Sequence, residues 1–258
     1  MMLGWAVGPD AGAEPAHRPQ VVVLVLQNSS NFGGRLLGRR AADQLAVDLG
    51  ATGAWRVVDR AQTDRAAAQR DLQPPYAVGY LQQIGHALGG DLIVAGAVQK
   101  VEVDPRLGAV RVGLLVEMVD QVAGQAVLAV LHTGTVRRNA REPEPTDVLV
   151  GKALALASAE AAKASAVGVG LLGTVTEPGD GKTIKVSLAA EAAAQTGQRL
   201  LVYRGVVEGD QKTPGKLIAT AMITEVAGES CRARVLSSAG DIHTGDLAVT
   251  LCRLEKRP

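Results

Sequence analysis

The hydrophobic period changes along the chain, and the order of those changes limits the folds open to it. Up to Gly90 apolar residues recur at helical spacing between short Val/Leu runs, and from Asp91 they alternate. After one more helical stretch, every apolar segment past Gly168 is short and bounded by turn residues. This order predicts an α/β (α+β) N-terminal domain with a mixed sheet flanked by helices, followed by a small all-β barrel domain. The expected divisions are a flexible leader over 1–19, the α/β domain over 20–166 and the six-stranded barrel over 168–258.

Gln20 to Leu26 is a continuous Val/Leu run, the pattern of a central strand buried on both faces. Arg35 to Leu49 reads as a helix with Leu37, Ala41, Leu45 and Leu49 on one face, ended by Gly50 and Gly53. Trp55 to Val58 predicts a short strand, with a polar helix to Asp71 after it. Beyond Pro74-Pro75, Leu81, Ile84, Gly85 and Leu88 mark a second amphipathic helix. Three long strands follow in antiparallel order, over 91–103, about 110–118 and up to Val136. Thr146 is the expected N-cap of a helix to about Ser165, with Val150, Leu154, Ala157, Ala161 and Ala164 on its buried face. Six barrel strands are expected at 171–175, 184–188, 200–203, 217–226, 233–236 and 247–252, with 205–214 and 227–230 as exposed loops. Residues 189–195 fit one helical turn or an irregular strand edge.

Composition excludes several functions. A net charge of +1 in 258 residues excludes a strongly basic nucleic-acid binder, and an aromatic fraction of 2% leaves little for stacking single strands. No nucleic-acid partner is expected. The longest apolar runs, Val21 to Leu26 and Ala126 to Leu131, are far below the roughly 20 residues of a spanning helix. The first 19 residues lack the basic start and apolar stretch of an export signal. Cys231 and Cys252 read as two small buried residues, or as a disulfide between neighbouring strands in an oxidising compartment.

No motif supplies chemistry. Gly179-Asp180-Gly181-Lys182-Thr183 resembles the end of a phosphate loop, but Thr176 stands where its first glycine belongs and a strand follows, so a hairpin turn is expected. His17, His86, His132 and His243 have no ligand spacing, and no nucleophile has a His partner, so neither a metal site nor a catalytic residue is assigned. Glu102 and Asp104 read as solvated sheet edge. The loop before the first helix, with Asn28, Ser29, Ser30 and Arg35, is the one candidate anion or partner site. No cofactor is expected.

The stretch VVVLVLQNSSNFGG, the Val57-Val58-Asp59-Arg60 motif, the helix ending before Gly90-Asp91, and Val119-Asp120 with Gly124-Gln125 resemble the periplasmic domain of the curli-secretion channel family (CsgG-type), over about residues 20–140. That family shares its fold with the N-terminal domain of TolB. Gly173-Thr174-Val175, Leu201-Val202-Tyr203-Arg204, Gly215-Lys216-Leu217 and Gly245-Asp246-Leu247 are similar to the last domain of the flagellar assembly protein T family (FlgT-type). Asp59, Arg60, Tyr203, Arg204 and Asp246 are the motif residues this resemblance marks as structural or partner-facing.

The resemblance implies a non-catalytic envelope scaffold, periplasmic or peripherally membrane-associated, that assembles with itself or other envelope proteins. A ring serving a secretion or flagellar/pilus-type apparatus is one such arrangement. The alternatives are a monomeric periplasmic adaptor of an envelope enzyme, and a small-molecule or nucleotide binder using the 27–35 loop. Channel-forming members carry an acylated N-terminal Cys and long membrane hairpins. This sequence shows no Cys near its start, and the turn at Asp104-Pro105-Arg106 is compact, so no pore is expected.

Overall fold

A computed structural model of the chain describes residues 18–139, 144–167, 169–189, 194–208 and 211–251. Most of the expected leader, most of 189–195, and Cys252 lie outside the described residues.

The first part is a six-stranded mixed sheet. Strands β1 (Gln20–Val23), β3 (Arg56–Val57), β4 (Leu92–Asp104), β5 (Ala109–Asp120) and β6 (Ala126–Arg137) run in the order β3-β1-β4-β5-β6, and β2 (Gln27–Asn28) also pairs with β4. Pairing is parallel around β1 and between β2 and β4, and antiparallel from β4 to β6. The Val/Leu run is buried on both faces as expected, because its side chains alternate between two cores. Val21 and Val23 join Leu92 and Val94 under helix α1 (Gly34–Ala51) and α4 (Thr146–Ala166). Val22 and Leu24 pack with Ile93 under α2 (Arg60–Ala68) and α3 (Val78–Leu88).

The predicted ladder Leu37, Ala41, Leu45, Leu49 is buried along α1, and Val110, Val112, Leu114, Val116 and Met118 all face the α1/α4 core. Several details differ. The first strand is interrupted: β1 ends at Val23, where the main chain leaves β1, and the pairing resumes at β2. Helix α1 runs through Gly50 to Ala51, and Gly53, at φ 70, takes the left-handed turn after it. Pro145, not Thr146, occupies the N-cap of α4, and Ser165 rather than Ala164 is buried in its last turn, hydrogen-bonding the Ala162 carbonyl. Two glycines allow the helices to approach: a Cβ on Gly38 would lie 2.0 Å from the Leu26 carbonyl oxygen, and one on Gly134 would lie 1.9 Å from that of Ala153.

The second part is a closed barrel in the order β10-β11-β8-β7-β12-β9. Its strands are β7 (Gly170–Glu177), β8 (Thr183–Leu188), β9 (Arg199–Glu208), β10 (Gln211–Ala227), β11 (Ser230–Ser238) and β12 (Leu247–Thr250). All six were expected. Asp180 accepts hydrogen bonds from the backbone of Lys182 and Thr183, so the Gly179–Thr183 stretch is the expected hairpin turn. Cys231 is buried in β11, with no disulfide among the described residues.

Residues 205–208 and 211–214 are not part of a loop. They extend β9 and β10 into a two-stranded ribbon, with Val207 paired to Lys212 and Gly205 to Pro214. Strand β12 pairs with β9 only over Leu200–Tyr203, so the ribbon continues past the closed wall. Backbone pairing between two strands needs no apolar alternation, so Gly- and Pro-rich composition concealed it.

Strand β9 also explains how the two parts meet. Leu200 and Val202 point into the barrel, whereas Leu201 and Tyr203, with Leu217, Val249 and Leu251, join the α1/α4 core. The barrel wall is therefore apolar on both sides.

Candidate functional site

Three groups of residues singled out in the sequence take definite places. The first is Asp59-Arg60. Asp59 caps α2 by accepting from the Gln62 backbone at 3.0 Å. The Arg60 guanidinium donates to the Val23 carbonyl, to Asp43 at 3.0 Å and to Asp64 at 2.9 Å, and Arg39 reaches Asp64 at 2.8 Å. The Val23 carbonyl accepts this bond at the end of β1, so Arg60 fastens α2 to the sheet and to α1. Nearby, the Tyr76 hydroxyl donates to the Val25 carbonyl, and burial pushes its pKa up to about 12.

The second is the 27–35 loop. The Asn28 amide donates to the carbonyls of Phe32 and Gly34, both at 2.7 Å, while its oxygen accepts from the backbone and hydroxyl of Ser30. Asn28 and Ser30 thus hold the loop in shape. Gly33 occupies the N-cap of α1 in the left-handed region, with no side-chain cap bond. Arg35 and the loop line an open depression of about 420 Å³ with Gln73 and Pro74. Ser29 is exposed, and its backbone donates to the Val98 carbonyl.

The third group joins Tyr203, Arg204 and Asp246 on neighbouring strands. Asp246 accepts from the backbones of His243 (2.7 Å) and Gly205 (3.2 Å), and Arg204 lies 3.4 Å from its carboxylate while donating to the Asp241 carbonyl. The Arg204 guanidinium also contacts His243. This network closes one end of the barrel. Tyr203 points the other way, toward Asp91, whose carboxylate accepts from the Gln20 backbone at 2.8 Å. Burial raises the Asp91 pKa to about 6, partly offset by the hydrogen bonds from Gln20 and Tyr203. These three groups are separate, and the structure does not bring them into one cavity.

The two carboxylates read as sheet edge have local partners. Glu102 pairs with Lys100 at 2.6 Å, and Asp104 caps its turn by accepting from the backbones of Arg106 and Leu107. Among the described residues, no three His, Cys, Asp or Glu side chains are grouped to hold a metal ion. No described helix is long and apolar enough to cross a membrane.

A further concave feature was not foreseen. It is a groove of about 530 Å³ between α1 and α4, floored by Leu37, Val150 and Leu154 and rimmed by Arg40, Asp43 and Asp147. Leu36 and Val47 stand on its α1 side, 56% and 67% exposed. They are eleven residues apart, three helical turns, and flank Arg40 and Asp43 on one face of α1 beside the buried ladder. The ribbon adds Val207, 71% exposed. These surfaces suit apolar protein contact.

No family model matches the chain, and no curated protein matches it. Among solved structures it is similar to the PelC dodecamer from Paraburkholderia phytofirmans, at 16% identity over 57% of this chain and 86% of that one, TM-score 0.38. It is also similar to lipoprotein GNA1162 from Neisseria meningitidis, at 15% identity over 50% of this chain and 87% of that one, TM-score 0.37. A third is the LpoB C-terminal domain from Escherichia coli, at 15% identity over 49% of this chain and 87% of that one, TM-score 0.32. At these values the likeness carries no argument about what the chain does.

Proposed function

We propose that this chain is a non-catalytic scaffold or assembly protein of the bacterial cell envelope, acting by protein–protein contact. The observation that carries the contact reading is the α1/α4 groove with Leu36 and Val47 exposed along its rim. Large apolar side chains left exposed on a rigid helix cost solubility unless a partner covers them. The resemblance of residues 20–140 to the CsgG-type periplasmic domain, and of the barrel to the FlgT-type domain, supports the envelope setting and a role beside a secretion or flagellar/pilus-type apparatus.

The test is in-cell photocrosslinking from a reactive side chain at Val47, with a control at exposed Gln62 on α2. Crosslinks from Val47 to envelope proteins, absent from Gln62, support the reading. A chain recovered without crosslinks from either position contradicts it.

A further inference from the structure

The two edges of the mixed sheet differ in a way that calls for a cover. At one edge β3 is only two residues long and exposes Arg56, so it offers little to pair with. At the other, β6 is twelve residues long and pairs only with β5 among the described residues. From Ala126 to Val136 it contains no charged residue and no proline, the usual devices that keep an edge from pairing. Helix α4 covers one face of β6. On the other face Ala129, Leu131, Thr133 and Thr135 are exposed, with Leu131 at 50%.

Leu131 also ends an apolar row. It lies directly opposite Leu115 on β5, which lies opposite Ala97 on β4.

We propose that β6 pairs antiparallel with β6 of a second copy, about a two-fold axis at Leu131, and joins the two sheets into one. Three observations select a second copy as the occupant. The uncharged segment runs from residue 126 to 136, so its midpoint is residue 131, and this register overlaps all of it. An isologous contact sets each side chain against its own kind or near neighbours, and with no charge in the segment no like charges meet. From residue 128 to 134, clear of the bulge at Val127, residues of one parity stay on one face, so Leu131 meets Leu131 and Ala129 meets Thr133, and the row Ala97–Leu115–Leu131 continues into its symmetry mate. On the α4 face, Leu128 falls opposite Gly134, large against small. The inference deepens the scaffold reading, on which it rests, by naming one self-contact.

The test uses the full chain. Light scattering after size exclusion is expected to give a dimer, or a multiple of one, for wild type. Leu131→Lys places two ammonium groups across the axis and is expected to weaken association by at least about tenfold. Because Leu131 is half exposed, the variant keeps its circular dichroism. Leu131→Cys is expected to crosslink to itself on oxidation, since Cα atoms across an antiparallel pair lie within disulfide reach. Thr135→Cys, set opposite Val127, is expected not to crosslink above the wild-type background.

A wild-type monomer at high micromolar concentration overturns the proposal, as does a folded Leu131→Lys oligomer of unchanged mass. Equal crosslinking at residues 131 and 135 overturns the register. A monomer that keeps its Val47 crosslink to an envelope protein overturns β6 pairing alone and leaves the scaffold reading standing.

Discussion

The carboxyl of Asp91, immediately before β4, faces the phenol of Tyr203, in the barrel strand β9, at the junction of sheet and barrel. Tyr203 is fully buried and Asp91 nearly so. A buried carboxylate is costly unless well bonded, and here it accepts from one backbone amide, that of Gln20, beside the Tyr203 phenol. The junction therefore carries a titratable group whose state depends on the barrel being docked.

This sets a pH dependence. The Asp91 pKa is raised from 3.8 to about 6 in the folded chain, so the fold holds that proton more tightly than the unfolded chain does. The resulting stability is full below about pH 4 and is lost as pH rises through about 6, roughly 3 kcal/mol in all. Asp91→Asn is expected to remove this fall. Urea unfolding at pH 4.5 and pH 7 checks it, and identical pH slopes for both proteins would contradict it.

Tyr203→Phe keeps the ring in the α1/α4 core and removes only the hydroxyl facing Asp91. That hydroxyl holds the Asp91 pKa down, so the pKa is expected to rise further and the midpoint of the pH effect to move upward. Tyr203→Ala is expected to cost about 3–5 kcal/mol through the lost ring. Carboxyl titration by NMR separates the two effects.

Gly134 and Gly151 form a matched pair for the docking of α4. A methyl group at Gly134 meets the Ala153 carbonyl at 1.9 Å, whereas at Gly151 nothing lies within 4 Å. Gly134→Ala is expected to lower the melting temperature by several degrees. Gly151→Ala is expected to stabilise by up to about 1 kcal/mol through helix propensity. Calorimetry on both variants decides.

Arg60 is expected to matter for folding rather than for recognition. Arg60→Ala leaves the Val23 carbonyl without its guanidinium donor and Asp64 without one of its partners, a loss of about 1.5–3 kcal/mol for charge-assisted bonds. Arg35→Ala, at the rim of the 27–35 depression, is expected to leave stability unchanged. The scaffold reading further expects no thermal shift from phosphate or nucleotides, since Asn28 and Ser30 are engaged within their own loop.

Much of the fold was legible because burial imposes simple periods. The four-residue ladder from Leu37 to Leu49 and the alternation from Val110 to Met118 each report one buried face, and each is found as read. The barrel strands were legible from their turns. What escaped was information held in partners. Leu201 and Tyr203 look like any apolar strand residues, and nothing local shows that their outer face meets the α1/α4 core. The ribbon of 205–208 and 211–214 looks like a loop because its stability is backbone pairing. At the candidate site, Asn28 and Ser30 were noticed for their polarity, but their hydrogen bonds run inward and hold the loop together. Leu36 and Val47 were visible in principle, hidden only by the stronger ladder beside them.

The most direct test of the contact account is the affinity of the chain for the protein it crosslinks to through Val47, measured for wild type and for Val47→Glu. Val47 is mostly exposed, so the substitution leaves the fold intact. The account predicts at least about tenfold weaker binding, as expected when an apolar anchor is replaced by an unpaired charge. Unchanged affinity would contradict it.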